Sequence, residues 1–361
     1  MKVLLSGGGT GGHINPGIAI ARYLKEKQPD TEILFVGTHK GLEGELIPKA
    51  GFEITFIEVE GFRRKLSLQT LGTVKKMFKG YAQSKKILKE FKPDIVIGTG
   101  GYVCGPVLYA ACKMGIKTLV HEQNVIPGVT VKMLSKMVDG VLTSFPETDQ
   151  YMKGNLILTG NPISPDLFTY ERDSARRTLE FDERPLILTY GGSLGARRVN
   201  ETVGEMIRNT AKDGSYQILY ATGKREYDKV LEEMKGHEYD NVRIEPYLYN
   251  MGECMAAADL VIARSGAMTV SELSAIGKPA ILIPSPNVAH NHQEYNARAL
   301  EEKGGAMVLT ENELSAEKLY EMVQGFLQDA EKQKNMAEQS KKAGIRDATE
   351  TIYQTVLSLT K

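Results

Sequence analysis

This chain is organised around a recurring unit: a short β-branched strand, a glycine-rich turn and an amphipathic helix. "VLLSGGGTGGH" from Val3 and "LILTYGGSLGA" from Leu186 both follow it, and "DIVIGTGGY" from Asp94 and "DLVIARSGA" from Asp259 repeat a second version. A strand that feeds a helix returns to the sheet by a crossover, so the sheets must be parallel. Strand-like runs at Val3–Ser6, Ile33–Val36, Ile54–Glu58, Ile95–Gly98, Thr118–His121 and Gly140–Thr143 precede Asn161. The pattern restarts at Leu186–Tyr190, Gln217–Ala221, Val242–Glu245, Leu260–Ala263, Ala280–Pro284 and Ala306–Leu309. The expected fold is α/β, with two Rossmann-like doubly wound domains facing one another around a cleft, and 361 residues suit two domains rather than one. Pro162, Pro165 and the polar run Glu171–Arg177 mark the boundary, and the helical tail after Glu331 adds no strand.

With 42% hydrophobic and 25% charged residues the chain is neither disordered nor fibrous. Its formal charge of zero hides an asymmetry: 21 Lys and Arg face 14 Asp and Glu up to Gly160, against 24 and 31 beyond it. An anionic partner is therefore expected for the front half alone. Three cysteines without a CxxC pair point to a reducing compartment. Glycines interrupt both long uncharged runs, Val3–Ala21 and Ile95–Cys112, so neither a signal peptide nor a membrane span is expected. The expectation is a soluble, cytoplasmic protein.

A glycine-rich turn between strand and helix directs backbone N–H groups at one spot, with the positive end of the helix dipole behind them. Four such turns, Gly7–Gly12, Gly98–Gly101, Gly191–Gly195 and Ser265–Ala267, predict a phosphate-bearing ligand. NAD is disfavoured because the second strand ends in Gly37-Thr38-His39 without an acid, and ATP because His13 stands where a P-loop places lysine. His13 at a helix start can take a proton from a hydroxyl near neutral pH, or merely cap backbone groups. No Cys and His residues lie at metal-ligand spacing, so no metal is expected. Glu272 completes an apparent capping box from Thr269, yet a carboxylate one turn into a phosphate-binding helix also suits ribose hydroxyls. Gln293 is a loop amide able to bind sugar hydroxyls.

Between Arg63 and Lys92 ten basic residues accompany a single acid, Glu90. Helical spacing places Val74, Met77, Phe78 and Tyr81 on one stripe beside Lys75, Lys76 and Lys79, with Arg63 and Arg64 upstream. Either this is a core-facing helix with a solvated basic side, or it meets an anionic membrane surface. Nucleic acid is not expected, since no binding motif or stacking platform accompanies the patch.

Taken together, "GGGTGGHINPGIAIA" from Gly7, "GTGGYVCGP" from Gly98, "HEQNVIPG" from His121, "GNP" at Gly160, "GGSLGAR" from Gly191, "RSGAMTVSE" from Arg264 and the Gln293 loop resemble the MurG family across essentially the whole chain. That family comprises the UDP-N-acetylglucosamine:lipid I N-acetylglucosaminyltransferases of bacterial peptidoglycan synthesis. The resemblance implies a GT-B fold, with residues 1–161 and 342–361 forming an acceptor- and membrane-facing domain and 162–341 a UDP-N-acetylglucosamine domain. It implies inverting transfer to the C4 hydroxyl of lipid I, yielding lipid II, at the cytoplasmic membrane face and without a cofactor. Carried over by motif, Ala267, Met268, Thr269, Val270, Ser271 and Glu272 hold the nucleotide, with Glu272 on the ribose. Ser193 meets the diphosphate, Leu248 the uracil, Gln293 and Asn124 the sugar, and Asn200 another cleft position. Thr10, Gly11 and Gly12 count with the donor residues although they stand on the acceptor side, where Gly100, Gly101, Tyr102 and His121 also line the site. His13 is the expected base and Glu122 its alternative. Ser164 and His292 replace an arginine and a glutamine common in the family, which puts two donor contacts in doubt. Another UDP-sugar enzyme of this fold, an epimerase or a transferase acting on a soluble acceptor, and a non-catalytic nucleotide-sugar-binding regulator are the alternatives.

Overall fold

The structure, a computed structural model, describes residues 1–61, 68–192, 195–237 and 239–361, without the side chains of 68–74 and 213. Arg63, Arg64 and Ser193 of the expected sites therefore lie outside the described residues, as does the side chain of Val74. The chain forms two compact units, Met1–Ile163 with Arg346–Lys361, and Ser164–Ile345.

In the first unit seven strands, β1 (Lys2–Gly7), β2 (Glu32–Gly37), β3 (Glu53–Phe56), β4 (Ile95–Gly100), β5 (Lys117–Glu122), β6 (Gly140–Thr143) and β7 (Leu156–Leu158), pair in the order 3-2-1-4-5-6-7. Every pairing is parallel, as crossover syntax requires. Alternate residues of β1 enter opposite cores. Val3 and Leu5 join Ile14 and Leu24 of α1 (Gly11–Lys27) and Ile47 of α2 (Glu43–Lys49). Leu4 instead joins Leu88 of α3 (Leu68–Phe91), Leu108 of α4 (Cys104–Lys113) and Val131 of α5 (Val129–Leu134). Helices thus cover both sheet faces, which is why the strands read as continuous apolar runs. The three-residue β7 is absent from the sequence expectation, being too short to show a period.

The second unit repeats the plan with β8 (Leu186–Tyr190), β9 (Gln217–Ala221), β10 (Val242–Glu245), β11 (Leu260–Ala263), β12 (Ala280–Leu282) and β13 (Met307–Val308) in the order 10-9-8-11-12-13. The expected boundary polar run forms a helix instead, α6 (Arg172–Thr178), whose Arg176 guanidinium is buried and binds the Ala257, Asp182 and Arg184 carbonyls and the Asp259 carboxylate. The helices that follow are α7 (Arg197–Thr210), α8 (Tyr227–Glu233), α9 (Met251–Ala257), α10 (Ala267–Ile276), α11 (His292–Glu301), α12 (Ala316–Leu327) and α13 (Ala330–Ala343). The tail divides between the units: α13 packs on α10, whereas α14 (Ala348–Thr360) returns to α1, where Tyr23 hydrogen-bonds Glu350.

The unit boundaries fall at Ile163 and Ile345 rather than Asn161 and Lys341. Asn161 donates to the Gln123 carbonyl at 3.1 Å and Ile163 is buried, so both stay with the first sheet. At the other crossing, Gly344 still lies against Ser274 of α10, where a methyl group would come within 2.3 Å of the Ser274 carbonyl oxygen.

Candidate active site

In a doubly wound sheet the carboxyl ends of the strands flanking the reversal of strand order form the ligand crevice. Those strands are β1 and β4 in one unit, β8 and β11 in the other. All four glycine-rich turns lie there, two in each unit.

In the first unit the two turns touch. Gly101 has φ +79°, and a methyl group on it would lie 2.4 Å from the Gly8 carbonyl oxygen, so only glycine permits the approach. Thr99 Oγ1 donates to the His13 carbonyl at 2.6 Å, tying β4 to the first turn of α1. The His13 ring lies against Gly100, where a methyl group would meet Cδ2 at 2.7 Å. Its Nδ1 is 3.2 Å from the Gly8 carbonyl oxygen and 3.4 Å from Thr10 Oγ1. A carbonyl only accepts, so Nδ1 carries the proton and Nε2 is the basic nitrogen of the neutral ring. Thr10 and Gly12 are exposed beside it, with Gly11 and Tyr102 half-buried.

The sequence reading missed the residue beneath this turn. Glu43, fully buried on α2, accepts the Gly9 N–H at 3.0 Å, the Thr38 N–H at 3.0 Å and the Thr38 hydroxyl at 2.8 Å. The first turn is therefore not a set of unpaired amides, since one of them is held by the chain's own carboxylate. The acid absent from the end of β2 arrives from the helix that follows, and the spacing from Thr38 to Glu43 was its only trace in the sequence.

Two expected site residues are structural. His121 is fully buried: Nε2 donates to the Gly160 carbonyl at 3.0 Å and Nδ1 accepts from Gln123 Nε2 at 2.9 Å. Burial pushes its pKa down to about 4. Glu122 is buried too, accepting the Asn124 and Gly128 N–H groups at 2.9 and 2.8 Å and Asn124 Nδ2 at 3.3 Å. Burial raises its pKa against the pull of those donors, but its oxygens staple the 124–128 loop instead of facing a reacting hydroxyl. The alternative base is thereby disfavoured by geometry.

In the second unit a cavity of about 570 Å³ is walled by Tyr190, Gly191, Gly192 and Gly195 on one side and by Gly266 and Thr269 on another. The N-termini of α7 and α10 both open onto it, and their first-turn N–H groups have no partners within their helices. Gly195 has φ +82°, and a methyl group there would lie 2.3 Å from the Thr222 carbonyl oxygen, so glycine is required. Gln293 lines the cavity; its Oε1 accepts the Ser285 N–H at 2.9 Å and its carbonyl accepts Ser265 Oγ at 2.8 Å. Arg264 lines it as well, ion-paired to Glu311 and donating to the Ile283 and Pro284 carbonyls. Neither the pair nor Tyr190 was singled out from sequence.

The expected capping box does not form. α10 starts at Ala267 with Gly266 as its cap, so Thr269 is already inside the helix. Glu272 is half-buried and burial pushes its carboxyl up to about 7. Val270 is 1% exposed and packs in the core, its N–H donating to the Gly266 carbonyl, so it offers the cavity nothing. Asn200 is buried behind the glycine turn, donating to the Thr222 carbonyl at 2.8 Å. Ala267 and Leu248 are buried, Met268 and Ser271 half-buried. Among the described residues no three His, Cys, Asp or Glu side chains converge to hold a metal ion.

Comparison with known proteins adds to this geometry. The glycosyltransferase family 28 N-terminal domain matches residues 3–143, and the C-terminal domain of the same family matches residues 186–352. The "UDP-N-acetylglucosamine--N-acetylmuramyl-(pentapeptide) pyrophosphoryl-undecaprenol N-acetylglucosamine transferase" of Acetivibrio thermocellus is 51% identical over 100% of this chain and 99% of its own length. The protein of the same name from Caldanaerobacter subterraneus subsp. tengcongensis is 49% identical over 100% of both. The crystal structure of Acinetobacter baumannii MurG superposes with a TM-score of 0.82 at 28% identity, covering 99% of each chain. The chain belongs to the MurG family. It is a glycosyltransferase with two Rossmann-like domains of the GT-B class. A UDP-GlcNAc 2-epimerase from Neisseria meningitidis shares the fold with a TM-score of 0.68 at 15% identity.

Where the MurG-family pattern is departed from, the local contacts are plain. Ser164 is exposed at the start of a short 3-10 turn and donates its hydroxyl to Asp166 Oδ2 at 3.3 Å. His292 starts α11 with Nδ1 donating to the Ala289 carbonyl at 2.8 Å, and burial lowers its pKa. The membrane-patch residues are partly engaged: Lys76 pairs with Glu60 and Lys79 with Glu58, each at 2.6 Å, while Lys75 is exposed. Phe78 is 65% exposed and Met77 is exposed beside it, but Tyr81 turns inward against Tyr109 with ring centroids 5.6 Å apart. No helix among the described residues is long and apolar enough to cross a membrane.

Proposed function

We propose that this chain moves N-acetylglucosamine from UDP-N-acetylglucosamine to the C4 hydroxyl of the N-acetylmuramyl unit of an undecaprenyl-linked muramyl-pentapeptide, with inversion, at the cytoplasmic face of an anionic membrane. The observation that carries it is the second-unit cavity, where two helix N-termini and a glycine-rich turn converge; Glu272 follows one turn further along α10. Two positive helix ends suit a diphosphate, and a carboxylate one turn on suits a ribose diol. The His13 Nε2 takes the proton of the attacking hydroxyl as the new C–O bond forms and the anomeric bond to the diphosphate breaks. The charge left on UDP is met by the helix ends, without a resident metal. Exposed Phe78 and Met77 beside Lys75 support a lipid-facing role for the first unit.

The deciding assay follows labelled N-acetylglucosamine from UDP to a lipid-linked muramyl-pentapeptide in the presence of chelator. Transfer with inversion is expected. Epimerised UDP-sugar without transfer would assign a different enzyme of this fold, and tight binding without turnover would assign a regulator.

A further inference from the structure

The helices α3, α4 and α5 cover one face of the first sheet, α4 packing against both neighbours. A solvated helix turns its polar side outward, but α5 does not. Val131, Leu134 and, in the turn beyond, Val138 fill the core. Val129 at 60% exposure and Met133 at 73%, four residues apart, share one outward stripe of α5, and Met137 at 39% is exposed in the turn that follows. The remaining exposed side chains between 128 and 138 are Lys132 and Lys136, and that stretch contains no acid. The neighbouring α4 also lacks acids and exposes Tyr109, with Lys113 over its ring at 5.6 Å. An outer surface of methionine, valine and lysine alone is what an element seated at the headgroup boundary of an anionic bilayer requires, apolar atoms entering and ammonium groups meeting phosphates.

We propose that Val129, Met133 and Met137, flanked by Lys132 and Lys136, form a second lipid contact that extends the α3–α4 patch. The inference rests on the membrane reading above and deepens it by fixing which way the unit lies. Gly128, the residue before α5, donates its N–H to Glu122 at 2.8 Å, so the loop from Glu122 to Gly128 is anchored beside the bilayer.

The chain has no tryptophan, so single-tryptophan variants report one place each. Met133→Trp tests the new contact, Tyr109→Trp the α4 patch, and Leu231→Trp, half-exposed on the second unit, serves as the control. With phosphatidylglycerol–phosphatidylcholine vesicles, Met133→Trp and Tyr109→Trp are expected to shift to the blue and be quenched by brominated lipid, with Leu231→Trp unchanged. Lys132→Gln with Lys136→Gln should weaken vesicle binding about thirtyfold and leave UDP binding unaltered. Response at Tyr109→Trp with none at Met133→Trp would overturn the second contact and keep the membrane reading; silence at both would overturn both. A blue shift at Met133→Trp that depends on protein concentration without lipid would reassign the stripe to self-association.

Discussion

The Glu43 carboxylate holds the Gly9 N–H at 3.0 Å, so a buried acid on α2 shapes the turn that carries His13. A Glu43→Gln change puts an amide NH2 against donors that need an acceptor, leaving at least one unsatisfied at about 1–3 kcal/mol. The expected outcome is a lowered Tm and a kcat reduced ten- to hundredfold, with UDP affinity unchanged because the cavity proposed for UDP belongs to the other unit. Calorimetric titration of UDP beside steady-state kinetics reads the split; an equal loss in both would show general unfolding instead.

His13→Ala should lower kcat by about 10²–10⁴ while donor affinity stays within a fewfold. His13→Gln should behave alike, since an amide keeps a hydrogen bond to Gly8 but cannot take a proton. Single-turnover kinetics check this, and a near-normal rate in either variant would remove His13 from the chemistry.

Glu272 has its carboxyl pushed up to about 7 by burial, so it passes from mostly protonated to mostly ionised between pH 6 and pH 8. In the proposed role on the ribose, only the ionised form can accept from both hydroxyls. UDP affinity should therefore rise about tenfold across that interval, and Glu272→Gln should flatten the profile. The same raised pKa makes its contribution to folding fully present at acid pH and lost as pH rises through about 7. Glu272→Gln should accordingly be more stable than the parent at pH 8, by on the order of 1–3 kcal/mol, and nearly equal at pH 4.

His121 shows the opposite sign. Its pKa falls to about 4 in the fold against 6.5 in the open chain, so its contribution is complete above pH 6.5 and disappears as pH falls towards 4. The first unit should lose about 3 kcal/mol over that window from this residue. Urea midpoints at pH 7 and pH 4.5 measure it, and His121→Gln should reduce the difference.

Much of this protein was legible in the order of its residues. Strand, glycine turn and helix repeat at Val3, Asp94, Leu186 and Asp259, and because a parallel crossover is the only way to satisfy that syntax, two doubly wound units followed from it. The placement of four glycine turns at the switch points followed as well, as did His13 at a helix start, since these depend on contacts between chain neighbours. What required the tertiary structure are relations between residues far apart or screened from water. Glu43 reaches the first turn across 34 positions, His121 and Glu122 are withdrawn inside by Gly160, Gln123 and Gly128, and Thr269 proves to be inside a helix rather than at its cap. Local periodicity determines which elements form. Which polar group ends up buried, and against which partner, depends on desolvation and packing that only the assembled fold sets.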